Sequence, residues 1–276
     1  MATSTANTQD FTKKSFKRRL EDFWRYVKRN PSLGVGLGLF FALFLFVAIG
    51  YATYEVERYR PLSGGPDLAP FEKDSYNPVT RANGYILGTD RQGRDVMAVM
   101  IAGIPLTLQI GLIAGLIGIT VGTILAFMAA YYGGWIDQVI STIVDVGLTI
   151  PGILILIVIA VNLQSGLSVP QMGLAVSAVA WVWPARTIRS QVLVMREQLY
   201  VEIARLSGTS GFSIMFKEML PNLAPYIGAS LVGSVASAIL ASVGLEALGL
   251  GPFDSPTLGM TIYWNIQFSS ILHGMW

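Results

Sequence analysis

Charged side chains in or near apolar stretches are the first places to look for chemistry. Here they are Asp145, Arg186, Arg189 and Glu246. An ion is costly in hydrocarbon, so each must face a bundle interior, a water path or an interface. Asp145 calls for a structural partner. Arg186 and Arg189 have stems long enough to snorkel to the membrane surface. Glu246 is the candidate for a translocation path. A second group of residues, Tyr200, Glu202, Ala204, Gly208, Leu220 and Pro221, lies in a polar stretch between apolar segments. A third, Gly88, Thr89, Asp90, Gly93, Arg94 and Asp95, precedes a long apolar run. None of these groups is catalytic. The one histidine is His273, there is no cysteine and no HExxH, and no lysine follows a glycine-rich phosphate loop. An intramembrane enzyme would lack its acid, base or nucleophile, and the chain has no means of hydrolysing ATP itself. It should bind no cofactor or metal.

The composition decides what holds these residues. Of 276 residues, 53% are hydrophobic and only 13% charged, where a soluble domain carries about 25% charge. So apolar a chain cannot cover itself with polar surface. The fold class is therefore an all-α polytopic membrane protein. A net charge of +2 is too small to indicate a nucleic-acid binder. Runs long enough to cross a bilayer extend over 32–54, 96–131, 139–163, 172–194 and 222–250, giving five spans. The first is too long for a signal-peptide core and is read as an uncleaved anchor. The chain thus divides into a basic amphipathic tail (1–31), a first span (32–54), an external segment (55–95) and a core (96–276).

Lys and Arg set the orientation. Lys13, Lys14, Lys17, Arg18, Arg19, Arg25, Lys28 and Arg29 precede the first span, and Arg186, Arg189, Arg196, Arg205 and Lys217 cluster at 185–217. Both regions are expected in the cytoplasm. The 55–95 segment carries six basic residues and seven acidic ones, and it is placed outside because the first span must cross from the basic N-terminus. In the tail, Phe11, Phe16, Leu20, Phe23, Trp24 and Val27 recur at roughly helical spacing. They describe either a helix lying on the membrane surface or a basic flank that only sets topology.

Residues 199–222 read LYVEIARLSGTSGFSIMFKEMLPN. A helical stretch, a glycine turn at Gly208 and Gly211, and a second helical run from Phe212 to Leu220 ended by Pro221 would form a compact cytoplasmic knob. At 87–96, LGTDRQGRDV supplies a turn-rich collar where a helix enters the membrane. Its Asp90, Arg94 and Asp95 either pair with one another or meet a docked protein. Gly34/Gly38, Gly111/Gly115 and Gly118/Gly122 have close-packing spacing, and the small residues from Gly228 onward either pack helices closely or widen a pore.

The 199–222 stretch resembles the EAA loop of ABC importer permeases. Glu202, Ala204, Gly208, Leu220 and Pro221 stand at the family spacing, with Ile203 and Glu218 as departures. LGTDRQGRDV, YYGGWID at 131–137, WPARTIRSQVL around Arg186 and LGLGPFDSPTLG at 248–259 resemble the C-type subunit of the dipeptide, oligopeptide and nickel branch. The resemblance implies a type I importer transmembrane domain in a prokaryotic cytoplasmic membrane. It implies a homologous permease partner, two ATPase subunits that bind ATP and Mg, and an external solute-binding protein. Di- or oligopeptides are the implied solutes, with nickel or oligosaccharides as alternatives. A channel or secondary carrier using Asp145 and Glu246 is the rival class. The family fold has six spans, so a further helix is expected after Trp276.

Overall fold

The computed structural model describes residues 16–72, 84–162 and 167–270. Phe11, Lys13, Lys14 and His273 lie outside the described residues, as do residues 163–166, where the third apolar run ends. Two compact units divide the chain, residues 1–52 and 53–276. The first holds α1 (Phe16–Arg29) and α2 (Pro31–Thr53), a helix with no charged residue. The second begins with a short 3₁₀ turn at Val56–Tyr59 and continues with α3 (Val96–Tyr132). No strand occurs among the described residues; the one extended pairing is an isolated bridge between Thr89 and Asp95.

Helix α3 is the axis of the second unit. At 37 residues it extends about 55 Å, well beyond the roughly 30 Å of bilayer hydrocarbon. It runs against α6 (Val169–Ala180), α7 (Val182–Arg196) and α10 (Leu220–Ala247). Its glycines make this possible. A methyl group at Gly115 would stand 2.6 Å from a Val235 side-chain carbon, and one at Gly118 would stand 2.8 Å from the Ala180 carbonyl. Gly111 meets Ile239, and Gly122 meets Pro184 and the Ala185 amide. The i, i+4 glycine rows therefore do pack helices here, as membrane interfaces built on small residues do. Gly38 has no such neighbour within 4 Å.

Three helices among the described residues are long and apolar enough to cross a membrane, or four if one bent pair counts as a span. The expected third and fourth spans are where the structure differs. The third is broken between α4 (Gly134–Thr149) and α5 (Gly152–Asn162), which bend by 85° at Ile150 and Pro151. Ile150 is extended (φ −81°, ψ 126°), as a residue before proline prefers. The fourth is two shorter helices, α6 and α7, that meet at Trp181. Pro184 in the first turn of α7 has no N–H to give to a continuous ladder.

The expected stop at Pro221 is also absent. A one-turn helix α9 (Gly211–Ser213) follows the short α8 (Leu199–Leu206) and passes through a π-helical stretch (Ile214–Met219) into α10. Together they form one 37-residue helical run, Gly211–Ala247. Pro221 sits in the first turn of α10. The wider π turn just before it accommodates a residue that can neither donate a backbone bond nor tolerate a tight preceding carbonyl. The chain then folds back through 248–257 to α11 (Leu258–Gln267).

Candidate functional site

The 199–221 loop is built on a buried layer. Val201 from α8 and Ile214, Met215 and Met219 from the π stretch join Ile119, Phe127 and Ala130 of α3, and Ile188 and Val192 of α7. Val201, Ile214 and Met219 are fully buried. Tyr200 and Ala204 pack against the same layer, so the aromatic ring faces inward. The other side of the loop is bare. Glu202 is exposed, beside Leu199, Ile203, Leu206, Phe212 and Phe216, which are also exposed. Phe212 and Phe216 stack at 4.4 Å between ring centroids. The loop thus has an anchored face and an exposed, largely apolar one.

Gly208 makes the turn. Helix α8 ends with the Thr209 amide donating to the Ala204 carbonyl (3.1 Å) and the Gly208 amide donating to the Arg205 carbonyl (3.1 Å). This is the Schellman arrangement, which requires a left-handed residue at Gly208. Its φ is +76°, and there is open space where a side chain would go. Leu220 is half-buried and Pro221 exposed where the π stretch passes into α10.

Tyr131 of α3 locks the loop to that helix, and Arg196 ties the end of α7, just before the loop, to the same helix. Gly211 lies under the Tyr131 ring, where a Cβ would stand 2.7 Å from the ring edge. Arg205 sits 5.9 Å above the centroid of that ring. From α7, Arg196 donates to the Ala130 carbonyl (2.8 Å), one of the α3 acceptors left without an intrahelical partner. The sequence shows YYGGW as a motif and Arg196 as one of a basic cluster, but no spacing rule places Tyr131 against Gly211 or Arg196 against Ala130.

At the opposite end of α3 lies the collar. Asp90 accepts from the backbone N–H of Gln92 and Arg94 (2.9 Å each) and from the Arg94 Nε–H (2.7 Å). Thr89 donates to the Gly65 carbonyl (2.6 Å) and accepts from the Leu68 N–H. Asp95 caps α3, accepting from the amides of Met97 (2.9 Å) and Ala98 (3.3 Å) and from the Tyr54 hydroxyl (2.5 Å). Burial pushes the Asp95 carboxyl above the ordinary range, and these hydrogen bonds pull against it. Gly88 and Gly93, at φ +76° and +69°, bring the collar against the backbone of Leu68 and Gly64. Asp90, Arg94 and Asp95 are all buried. Of the two readings of these charges, the structure has them paired within the chain.

Asp145 has the structural partner expected of it, Arg186 at 2.9 Å. Arg189 grips Asp137 through two bonds of 2.6 Å. The two pairs fasten α4 to α7. Glu246 departs from expectation. It is fully buried, accepts from the Thr257 hydroxyl (2.6 Å) and is covered by Gly251 and Gly259. Its carboxylate is thus enclosed by described residues of this chain. It holds the 248–257 return against α10, while Thr107 of α3 accepts from the Leu258 amide (3.0 Å). Among the described residues an apolar groove of about 640 Å³ opens between α3 and the 212–227 stretch, and one of about 340 Å³, with more hydroxyls in its lining, between α10 and the α6–α7 junction. Tyr226, Ser230, Ser234 and Ser237 line one side of the second, and Trp183 and Thr187 the other.

Residues 118–276 match the family described as "Binding-protein-dependent transport system inner membrane component". The chain is also similar to two curated transport proteins. It is 30% identical over 243 residues to a glutathione transport system permease protein of Pectobacterium atrosepticum, covering 86% of this chain and 75% of that one. It is 32% identical over 256 residues to a dipeptide transport system permease protein of Bacillus subtilis, covering 93% and 76%. The chain belongs to the binding-protein-dependent permeases. As such a permease it is a multi-pass inner-membrane transport subunit with the type I ABC importer fold, and it is not a catalyst. The family resemblance read from the 199–222 and 87–96 motifs agrees with this membership.

Proposed function

We propose that this permease is one half of the translocation unit of an importer for short peptides. Its partners are a homologous permease, two ATPase subunits that bind ATP and Mg, and an external binding protein that delivers the solute. The N-terminus and the 199–221 loop face the cytoplasm, and the 55–95 collar faces outward. One observation carries this reading. The loop exposes Glu202 amid an apolar face while its other side is keyed to α3 and α7 and its chain continues without interruption into α10. A push on the exposed face therefore moves α10, which lines the 340 Å³ groove. Rigid-body rearrangement of packed helices is an ordinary way to alternate access. The groove offers hydroxyls, an indole and small side chains, and none of its lining residues is charged. Such a surface suits a peptide backbone with varied side chains, and two of its relatives are named for glutathione and dipeptide transport.

The test is uptake in proteoliposomes. The permease is reconstituted with its homologous partner, ATPases and binding protein, and labelled dipeptide, glutathione, nickel and oligosaccharide are compared. ATP-dependent uptake of the peptides is expected. Uptake of only nickel or oligosaccharide would overturn the solute assignment. Flux through the permease alone, without ATPases, would favour an autonomous channel or carrier.

A further inference from the structure

The first unit carries a feature the transport reading does not use. Helix α1 reads FKRRLEDFWRYVKR, with six basic residues and two acidic ones. Phe23 and Trp24 lie within about 60° of Val27 around the helix, whereas Arg25 and Arg29 lie on the opposite side, by a turn of 100° per residue. Phe23, Trp24 and Tyr26 are exposed. A large apolar face of this sort beside basic residues is the pattern of a helix that rests in a membrane interface.

The junction with α2 decides which way that face points. Asn30 separates the two helices, its N–H bonded to Tyr26 and Val27 and its carbonyl bonded by the amides of Leu33 and Gly34. Its side-chain amide also donates to the Tyr26 carbonyl (2.9 Å). Pro31, next in line, cannot extend the ladder of α1. In a straight helix, residues seven apart are displaced by about 10 Å along the axis, and a valine side chain leans further toward the N-terminus. Yet a Cβ at Gly34 would stand only 3.4 Å from Val27 Cγ1. The chain must therefore bend sharply at Asn30–Pro31, with Val27 on the inside of the elbow. Helix α2 is 23 residues of apolar sequence, almost none of it buried within the protein, and it runs into the bilayer. The inside of the elbow is then the bilayer side of α1, and it is the side that carries Phe23, Trp24 and Val27.

We infer that α1 is a lipid-interface helix: its Phe23–Trp24–Val27 face rests at the acyl–headgroup boundary of the leaflet where α2 begins, and Arg25, Lys28 and Arg29 bind anionic phospholipid headgroups. Charge complementarity selects anionic lipid as the occupant, and the one-residue link to a membrane-crossing helix holds α1 at that surface. Each basic residue near an anionic surface strengthens such binding roughly fivefold, and salt weakens it.

The absence of cysteine makes the test direct. Single substitutions Phe23→Cys, Trp24→Cys, Val27→Cys, Arg25→Cys and Lys28→Cys are made in the full chain, spin-labelled and reconstituted. Accessibility to oxygen and to a water-soluble nickel chelate is read by electron paramagnetic resonance. In vesicles of phosphatidylglycerol and phosphatidylethanolamine, labels at 23, 24 and 27 should be oxygen-accessible and shielded from nickel, with the reverse at 25 and 28. In phosphatidylcholine vesicles, or with Arg25→Glu and Lys28→Glu added, the shielding should fall several-fold. Uniform nickel accessibility at all five positions would overturn the inference. So would a periodic pattern unchanged by lipid charge and retained in detergent, which would assign the face to a protein partner.

Discussion

Gly208 is the residue at which the 199–221 loop is most exposed to a single change. Its φ of +76° closes the Schellman turn, while no atom occupies the space its side chain would take. The penalty of a substitution is therefore conformational, not steric. A residue with an ordinary Cβ loses roughly 1–2 kcal/mol in the left-handed region, and a β-branched one loses more. Asn tolerates that region. Gly208→Asn should thus keep most ATP-dependent uptake, whereas Gly208→Val should insert into the membrane normally yet lose most stimulated ATP hydrolysis in the assembled transporter. Normal hydrolysis by Gly208→Val would show that the turn's geometry is not needed for coupling. Glu202 differs because its side chain is exposed. Glu202→Ala should leave the thermal stability of the isolated permease within error and weaken its co-purification with the ATPases by several-fold. Unchanged co-purification and transport would show that Glu202 makes no important contact with the ATPases.

The helices show how much of this was legible in the sequence. Apolar runs located α2, α3 and α10, because length and hydrophobicity are local properties. The glycine pairs on α3 signalled close packing, and the structure pairs Gly111 and Gly115 with α10, and Gly118 and Gly122 with the α6–α7 junction. The same reading failed at prolines. Pro221 reads as a helix stop, yet a π turn carries the helix past it. Pro151 and Pro184 fall where apolar runs read as single spans break into two helices. Hydropathy cannot separate a proline that ends a helix from one that bends it or is absorbed. The surroundings of Glu246 are illegible for a related reason: that Thr257 and Gly259 return to cover it is a tertiary fact. Close packing on α3 is testable by contrast. Gly115→Val would force its side chain into Val235, an overpacking that costs about 1–3 kcal/mol. Gly228 on α10 has nothing within 4 Å. Thermal unfolding in detergent should show a clear loss for Gly115→Val and none for Gly228→Ala. Equal stability of the two would mean that α3 and α10 are not held at this spacing.

At the scale of the whole molecule, the two ends of α3 have different mechanical characters. The collar end is closed on itself: Asp90, Arg94 and Asp95 are buried and bonded within the chain. The loop end is keyed to α3 through Tyr131, which meets Gly211 and Arg205, but leaves apolar side chains exposed. Movement should therefore begin at the loop and be borne by α10, with α3 as the fixed rail. The groove between α10 and the α6–α7 junction is the place where that movement would appear. Its walls belong to elements joined in different ways. Trp183 and Thr187 stand on α7, which two ion pairs fasten to α4. Ser230, Ser234 and Ser237 stand on α10, which is continuous with the loop. In the cysteine-free chain, Ser234→Cys provides a unique thiol in this groove. In the assembled transporter its rate of modification by a water-soluble thiol reagent should change several-fold between the nucleotide-free state and a state trapped with ATP. Arg189→Ala should blunt that change, because α7 would then follow α10 instead of holding still against α4. A modification rate indifferent to nucleotide would place the moving wall elsewhere in the assembly.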